Sequence, residues 1–321
     1  MAIALPRLAL PPLRTLSRRA GAWWNGEAYV EEPESVDEAE ATAPVTPDGP
    51  APDKPKPIAF IAPKAGTDPR IVATSAIWGA GRFGPGTAES DVVQATVLGL
   101  NKQSTLYLVG GAGGRSALDI HAKLGTFCKV FDWREGALEA VKALAKAEKK
   151  ERAITALPLS FDKPLGDKGK ADMVPFADAL HAVPNPTATL KIVAKSLKKT
   201  GQIACVELIA RDPDSAELAQ ARNDVWGART FFSEDTILSQ FEKAGFVARA
   251  NDDVSATLLD VIVTGRIAVR EGGEELLNSV AKAGGAAALN AFLYDLYVWR
   301  ARAEALRSGK LTARRMVFAP K

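Results

Sequence analysis

The stretch from Ser104 to Trp133, STLYLVGGAGGRSALDIHAKLGTFCKVFDW, constrains the fold more than any other part of the chain. An apolar run, Leu106 to Val109, stops at Gly110-Gly111-Ala112-Gly113-Gly114. An amphipathic segment follows, with Ala117, Ile120 and Leu124 at helical spacing, and closes at Gly125. A second apolar run from Phe127 to Phe131 then ends in Asp132. Strand, glycine turn, helix and strand ending in an acid are the first half of a doubly wound, nucleotide-binding sheet. Glycines let the backbone reverse and let N–H groups approach a ligand closely. The helix start adds a positive end that favours an anionic group, and an acid about 20 residues further on suits a ribose.

The remaining segments continue the alternation. Helix Glu135 to Lys146 leads to a strand at Ala153 to Leu159 and a polar loop, then to a short strand at Met173 to Phe176. Pro175 lacks an N–H to donate, so that strand is expected to end or bend there. A helix opens near Pro186, its last turn carries Lys198 and Lys199, and a tight turn precedes a fifth strand. Ser233 suits the N-cap of a helix through Phe241 that stops at Gly245, before a strand at Phe246 to Ala250. Three helical stretches, Leu258 to Val269, Glu274 to Ala283 and Leu289 to Leu306, precede a closing strand at Arg315 to Ala319. Upstream, the glycines and aromatics of Ala76 to Ser90, with Trp78 and Phe83, predict a loop at the carboxyl edge of the sheet. That loop either covers a ligand or caps the structure through its aromatics.

Outside this pattern lie residues 1–26, which carry Arg7, Arg14, Arg18 and Arg19 without an acid before Glu27. A helix from Pro12 would place Leu13, Leu16, Trp23 and Trp24 near one face, suited to an anionic membrane surface, to packing on the same chain or to a protein partner; a flexible tail is the alternative. Its prolines and arginines interrupt any secretory apolar core, while an organelle transit peptide stays open. Residues 27–67 are acidic and rich in Pro and Ala, and are expected to be a disordered linker. Residues 68–321 then form the folded domain, with a helical insertion at about 255–308 before the closing strand. The net charge of +3 gives no global argument for nucleic acid. No stretch approaches the length of a membrane span. Cys128 and Cys205, each inside an apolar run, are expected to be buried free thiols of a reducing, cytoplasmic compartment, with the arm offering peripheral contact at the inner membrane face. Two cysteines and two histidines, widely scattered, supply no structural zinc site.

With these elements placed, the chain resembles the class I S-adenosylmethionine-dependent methyltransferases, in particular the small-molecule branch. Leu106 to Gly114 fills the frame of that family's first strand and turn, approximately V-L-D-L-G-x-G-x-G. Leu180-His181-Ala182-Val183-Pro184-Asn185-Pro186 and Leu197-Lys198-Lys199-Thr200-Gly201 stand where the family carries L-H-H-V-P-x-P and L-K-P-G-G. The resemblance implies an α/β fold with a doubly wound, mostly parallel seven-stranded sheet and an added C-terminal helical segment. It implies S-adenosyl-L-methionine as cofactor, held by Gly110, Gly111, Gly113, Gly114, Asp132, Trp133, Ser160 and Asp162, and a small-molecule acceptor. Asp132 would take the ribose hydroxyls, and Trp133 would flank the adenine. His181 is the candidate base and Asp178 a polar lining residue; His121, in mid-helix, reads as structural.

The chain also departs from the family. Leu108 stands where an acid usually closes the first strand, Ala112 replaces a glycine, and only Asp162, a place or two late, follows the third strand. An active methyltransferase and a catalytically inactive protein on the same fold, serving as an assembly factor or complex subunit, are both compatible with this pattern. A nicotinamide dehydrogenase fits poorly, because a G-x-G-x-x-G frame from Gly111 puts Ser116 where Gly or Ala belongs.

Overall fold

The computed structural model describes residues 67–321 apart from Ala112 and Asp178. The basic arm and nearly all of the linker expected at 1–67 lie outside the described residues. Helices α1 (Pro69–Trp78) and α2 (Ala88–Val97) precede β1 (Thr105–Val109), α3 (Arg115–Leu124), β2 (Phe127–Asp132), α4 (Glu135–Ala147) and β3 (Ile154–Pro158). Then follow β4 (Ala171–Ala177), α5 (Pro186–Ser196), β5 (Leu197–Ala210), a small hairpin of β6 (Asn223–Asp224) and β7 (Gly227–Ala228), and α6 (Glu234–Lys243). The chain closes with β8 (Phe246–Asp253), the long helical run α7 (Ser255–Arg307) and β9 (Leu311–Pro320).

Seven strands form one sheet in the order β3-β2-β1-β4-β5-β9-β8. The first five run parallel, while β9 lies antiparallel between β5 and β8. The expected seven-stranded, mostly parallel sheet is therefore present. The order reverses between β1 and β4, and such a switch point opens a crevice at the carboxyl ends of the strands. In the β1–β2 register Val109 faces Phe131, so the next residues, Gly110 and Asp132, come side by side at that crevice. Gly110 donates its N–H to the Phe131 carbonyl at 2.8 Å, which fixes the turn against the end of β2.

Alternation along the strands divides the core between the two faces of the sheet. Leu106, Leu108, Cys128, Val130 and Met173 pack with Ala117, Ile120 and Val141 of α3 and α4. Tyr107, Val109, Phe131, Val174 and Cys205 pack on the other face with Leu190, Val193, Ile237 and Phe241 of α5 and α6. A third cluster joins α1 and the C-terminal helical run to the ends of β5 and β9, through Ile77, Trp78, Leu208, Phe292, Trp299 and Leu311. That run is interrupted at Gly273 and Gly285, both at positive φ, which separates the three helical stretches expected from the sequence. Ser233 caps α6 by accepting the Thr236 N–H, as expected.

Four local expectations need correction. Trp78 is the last residue of α1 and buried; it does not belong to the loop. β4 continues through Pro175, which faces Ala204 of β5. Pairing with β1 falls at Met173 and Phe176, on either side of the proline. Lys198 and Lys199 belong to β5, which starts at Leu197 and absorbs the expected turn as a register shift between Ala171 and Met173. Finally, β8 runs to Asp253 with an irregularity between Ala248 and Ala250, and the β6–β7 hairpin has no counterpart in the sequence reading.

Candidate functional site

The crevice at the carboxyl ends of β1 and β2 is built from main chain and one acid. Gly110 and Gly114 have φ values of 66° and 88°, where side chains are rarely accommodated. Close packing adds a second requirement. A Cβ on Gly110 would stand 2.4 Å from Ala179 Cβ, and one on Gly111 would stand 2.3 Å from Val130 Cγ1. A Cβ on Gly113 would stand 2.5 Å from Gly81 Cα, so the loop between α1 and α2 is seated on the turn. The Arg115 N–H, at the start of α3, donates to the Gly81 carbonyl at 3.1 Å. Arg82 clamps the same loop, donating to Asp91 of α2 at 2.8 Å and to Asp119 of α3 at 2.7 Å. Burial pushes the Asp91 carboxyl above its usual range, although the Arg82 guanidinium pulls the other way.

Asp132 is fully buried. Its Oδ1 accepts from the Arg134 main-chain N–H at 2.9 Å and from Arg134 Nε at 2.8 Å, and its Oδ2 accepts from a terminal guanidinium nitrogen at 2.8 Å. This is a two-oxygen fork, the strongest arrangement an arginine and a carboxylate adopt. The guanidinium carbon lies 4.7 Å from the Trp133 ring centroid, 4.9 Å from that of Trp226 and 5.2 Å from that of Phe83. Phe83 and Trp226 are stacked at 5.0 Å, so the loop before α2 and the β6–β7 hairpin meet over the mouth. Asp132 thus ends β2 beside the glycine turn, and a side chain two residues away holds both of its oxygens.

Ser160 and Asp162 follow β3. They are hydrogen-bonded to each other, and that bond holds the exposed Asp162 carboxyl below its usual range. Phe161 between them lies 5.9 Å from Trp133, which sets this loop beside the mouth. His181 sits on a short helical turn, Leu180–Ala182, after β4, with Nδ1 3.8 Å from Glu207 Oε2. Asp178 lies outside the described residues. His121, in the last turn of α3, has Nδ1 2.7 Å from the Thr126 carbonyl, a contact that joins the helix end to the start of β2.

A cavity of about 170 Å³ adjoins the turn, lined among others by Phe83, Leu108, Gly111, Phe176, Glu207 and Trp299. Its walls are mostly apolar, and Glu207 supplies the carboxylate. Glu207 is buried, accepts the Leu180 N–H at 3.1 Å and faces a guanidinium nitrogen of Arg229 at 3.5 Å. Sequence reasoning passed over Glu207, Arg229, Arg82 and Arg134. Glu207 did leave a signal, as the one charge in the apolar run Ile203 to Ala210.

Strand order, glycine turn and acid define a class I methyltransferase fold. Residues 99–251 match the model of a family described as a methyltransferase domain. No curated protein matches the sequence. Among solved structures the chain is similar to a phosphoethanolamine N-methyltransferase 2 from Haemonchus contortus, in complex with phosphomonomethylethanolamine and S-adenosylhomocysteine. The TM-score is 0.67 at 14% identity, over 78% of this chain and 57% of that one, so the chain spans little more than half of that enzyme's length. It is also similar to the [4+2]-cyclase SpnF, with a TM-score of 0.61 at 13% identity, over 78% of this chain and 91% of the other. A third is the geranyl diphosphate C-methyltransferase from Streptomyces coelicolor, solved with Mg2+, geranyl diphosphate and S-adenosylhomocysteine. There the TM-score is 0.55 at 14% identity, over 73% of this chain and 79% of the other. Likeness at this level establishes the fold, and the presence of a cyclase among the neighbours shows that the fold alone does not fix a reaction.

Proposed function

We propose that this chain is an S-adenosylmethionine-dependent methyltransferase acting on a small-molecule acceptor. The observation that carries the reading is the placement of the Asp132 carboxylate beside the Gly110 turn, next to an apolar cavity with Glu207 at its edge. The donor set fits an adenosyl group in kind. A carboxylate ends β2, a glycine turn brings main chain to the mouth, and Trp133 flanks it. When bound, the cofactor supplies a methyl group already activated by its sulfonium. Asp132 would hold the ribose hydroxyls, and Gly110, Gly111, Gly113 and Gly114 would admit the ligand close to the backbone. Leu108, Phe176 and Trp299 would exclude water from the acceptor and hold it against the methyl donor, so that orientation lowers the barrier. His181, beside Glu207, would take a proton from the acceptor where one must leave.

The cavity, at about 170 Å³, is below the roughly 300–1,000 Å³ usual for small-molecule sites. Entry of an acceptor on this reading therefore requires the Gly79–Thr87 loop, which lines the cavity, to move, and use of Asp132 by a cofactor requires Arg134 to leave it. Calorimetric titration with S-adenosylmethionine tests it: saturable binding, weakened by Asp132→Ala, is expected. An absence of heat at millimolar ligand would favour the second reading, a methyltransferase-fold protein that serves as a scaffold or complex subunit. That alternative draws on the Asp132–Arg134 fork and on Leu108 at the end of β1. The acceptor's identity and any membrane or protein contact through residues 1–26 belong with these proposals.

A further inference from the structure

Arg134 is not a loose surface arginine. It forks both oxygens of a fully buried carboxylate and lies against three aromatic rings drawn from three separate segments. Its side chain is 17% exposed. A ribose that used Asp132 would need the same two oxygens, because each of its adjacent hydroxyls donates to one of them. Oδ1 already accepts from the Arg134 main-chain N–H and Nε, and Oδ2 from a terminal nitrogen, so of about four lone-pair positions only one, on Oδ2, is left for a pair of hydroxyls.

We infer that Arg134 is an intramolecular competitor for the adenosine subsite, a residue of this chain that occupies Asp132 until an adenosyl ligand displaces it. The inference rests on the methyltransferase reading above, since it needs an adenosyl ligand at Asp132. Its consequence is that the binding-competent form is a minority, and the apparent affinity is lowered by the fraction of molecules in which Asp132 is free. Phe83 lies under the same guanidinium and Gly81 on the glycine turn, so displacing Arg134 also loosens the loop over the acceptor cavity. Adenosyl ligand and acceptor access are thereby linked through one side chain.

The experiment is isothermal titration of the full chain with S-adenosylhomocysteine, for wild type, Arg134→Ala, Arg134→Lys and Asp132→Ala. Removing the competitor is expected to tighten binding about tenfold, the scale of one charge-assisted hydrogen-bonding contact. Arg134→Lys, whose single nitrogen cannot fork the carboxylate, is expected to fall between wild type and Arg134→Ala, and it carries the test if the alanine variant does not fold. Asp132→Ala is expected to lose binding. A merely structural Arg134 would give the opposite sign, because loosening the site would weaken the ligand. Binding by wild type that is unchanged or weakened in both Arg134 variants would overturn the inference and leave the cofactor reading standing. No binding by any of the four proteins would overturn both.

Discussion

Gly81 and Gly113 touch, main chain on main chain, so tightly that a Cβ on Gly113 would stand 2.5 Å from Gly81 Cα and 2.8 Å from its carbonyl carbon. Neither neighbour is a flexible side-chain end, so the contact cannot yield without moving the loop. Gly113→Ala is expected to unseat Gly79–Thr87 at a cost of about 2 kcal/mol, the scale of overpacking. Thermal unfolding and limited proteolysis between α1 and α2 check this; an unchanged melting temperature with an unchanged cleavage rate would contradict it.

The Asp132–Arg134 pair should be asymmetric in its energetics. Removing Arg134 strands a carboxylate that is fully buried, whereas removing Asp132 leaves a partly exposed guanidinium that can turn to water. Arg134→Ala is expected to cost about 3 kcal/mol and Asp132→Ala about 1 kcal/mol. Urea denaturation of the two variants in parallel tests the order, and equal losses would mean that Asp132 reaches solvent.

Trp78 ends α1 with its indole N–H on Asp295 Oδ2 at 3.0 Å, and its ring meets Trp299 edge-on at 5.5 Å. Asp295 and Trp299 both lie in the last segment of α7, so this contact ties the start of the described fold to its C-terminal helices. Trp78→Phe keeps most of the apolar volume and removes the donor. The expected loss is about 2 kcal/mol, typical of a hydrogen bond to a charged group, and a melting temperature equal to wild type would count against the tie.

Both cysteines are free and buried. Burial pushes the Cys128 thiol up to about 11 and the Cys205 thiol well above its usual range. At pH 8 neither thiolate forms in the folded chain, so a disulfide-exchange reagent should react with both only after unfolding. The sign of the pH dependence follows. Above the ordinary thiol value of 9.0 the unfolded chain releases protons that the folded chain keeps, so stability should fall between pH 9 and pH 11. Replacing Cys128 by Ala should flatten that decline in a series of denaturation curves.

How much of this was legible differs by element. The glycine turn, α3 and β2 announced themselves because an apolar run, a cluster of glycines and a 3.6-residue period follow one another within thirty residues. The breaks at Gly273 and Gly285 were visible as gaps between three apolar helical stripes. Pro175 misled, because β4 keeps its pairing with β5 on both sides of the proline, from Met173 to Ala177. At the mouth, Asp132 was found by its distance from the turn, while Arg134 was not. Nothing in Asp-Trp-Arg tells whether the arginine turns outward to water or back onto the acid. Phe83 and Trp226, 143 residues apart by their numbering, meet only through folding.

The order of elements, the alternation that divides the core between two faces and the position of an acid beside a glycine turn were set locally, by hydrophobic period and backbone permissiveness. Which side chains fill the mouth was decided by tertiary structure alone. Gly81 on Gly113, Arg82 between Asp91 and Asp119, and Arg134 enclosed by three rings each join segments far apart in the chain, and the free energy of such contacts exists only once the sheet has brought their backbones together.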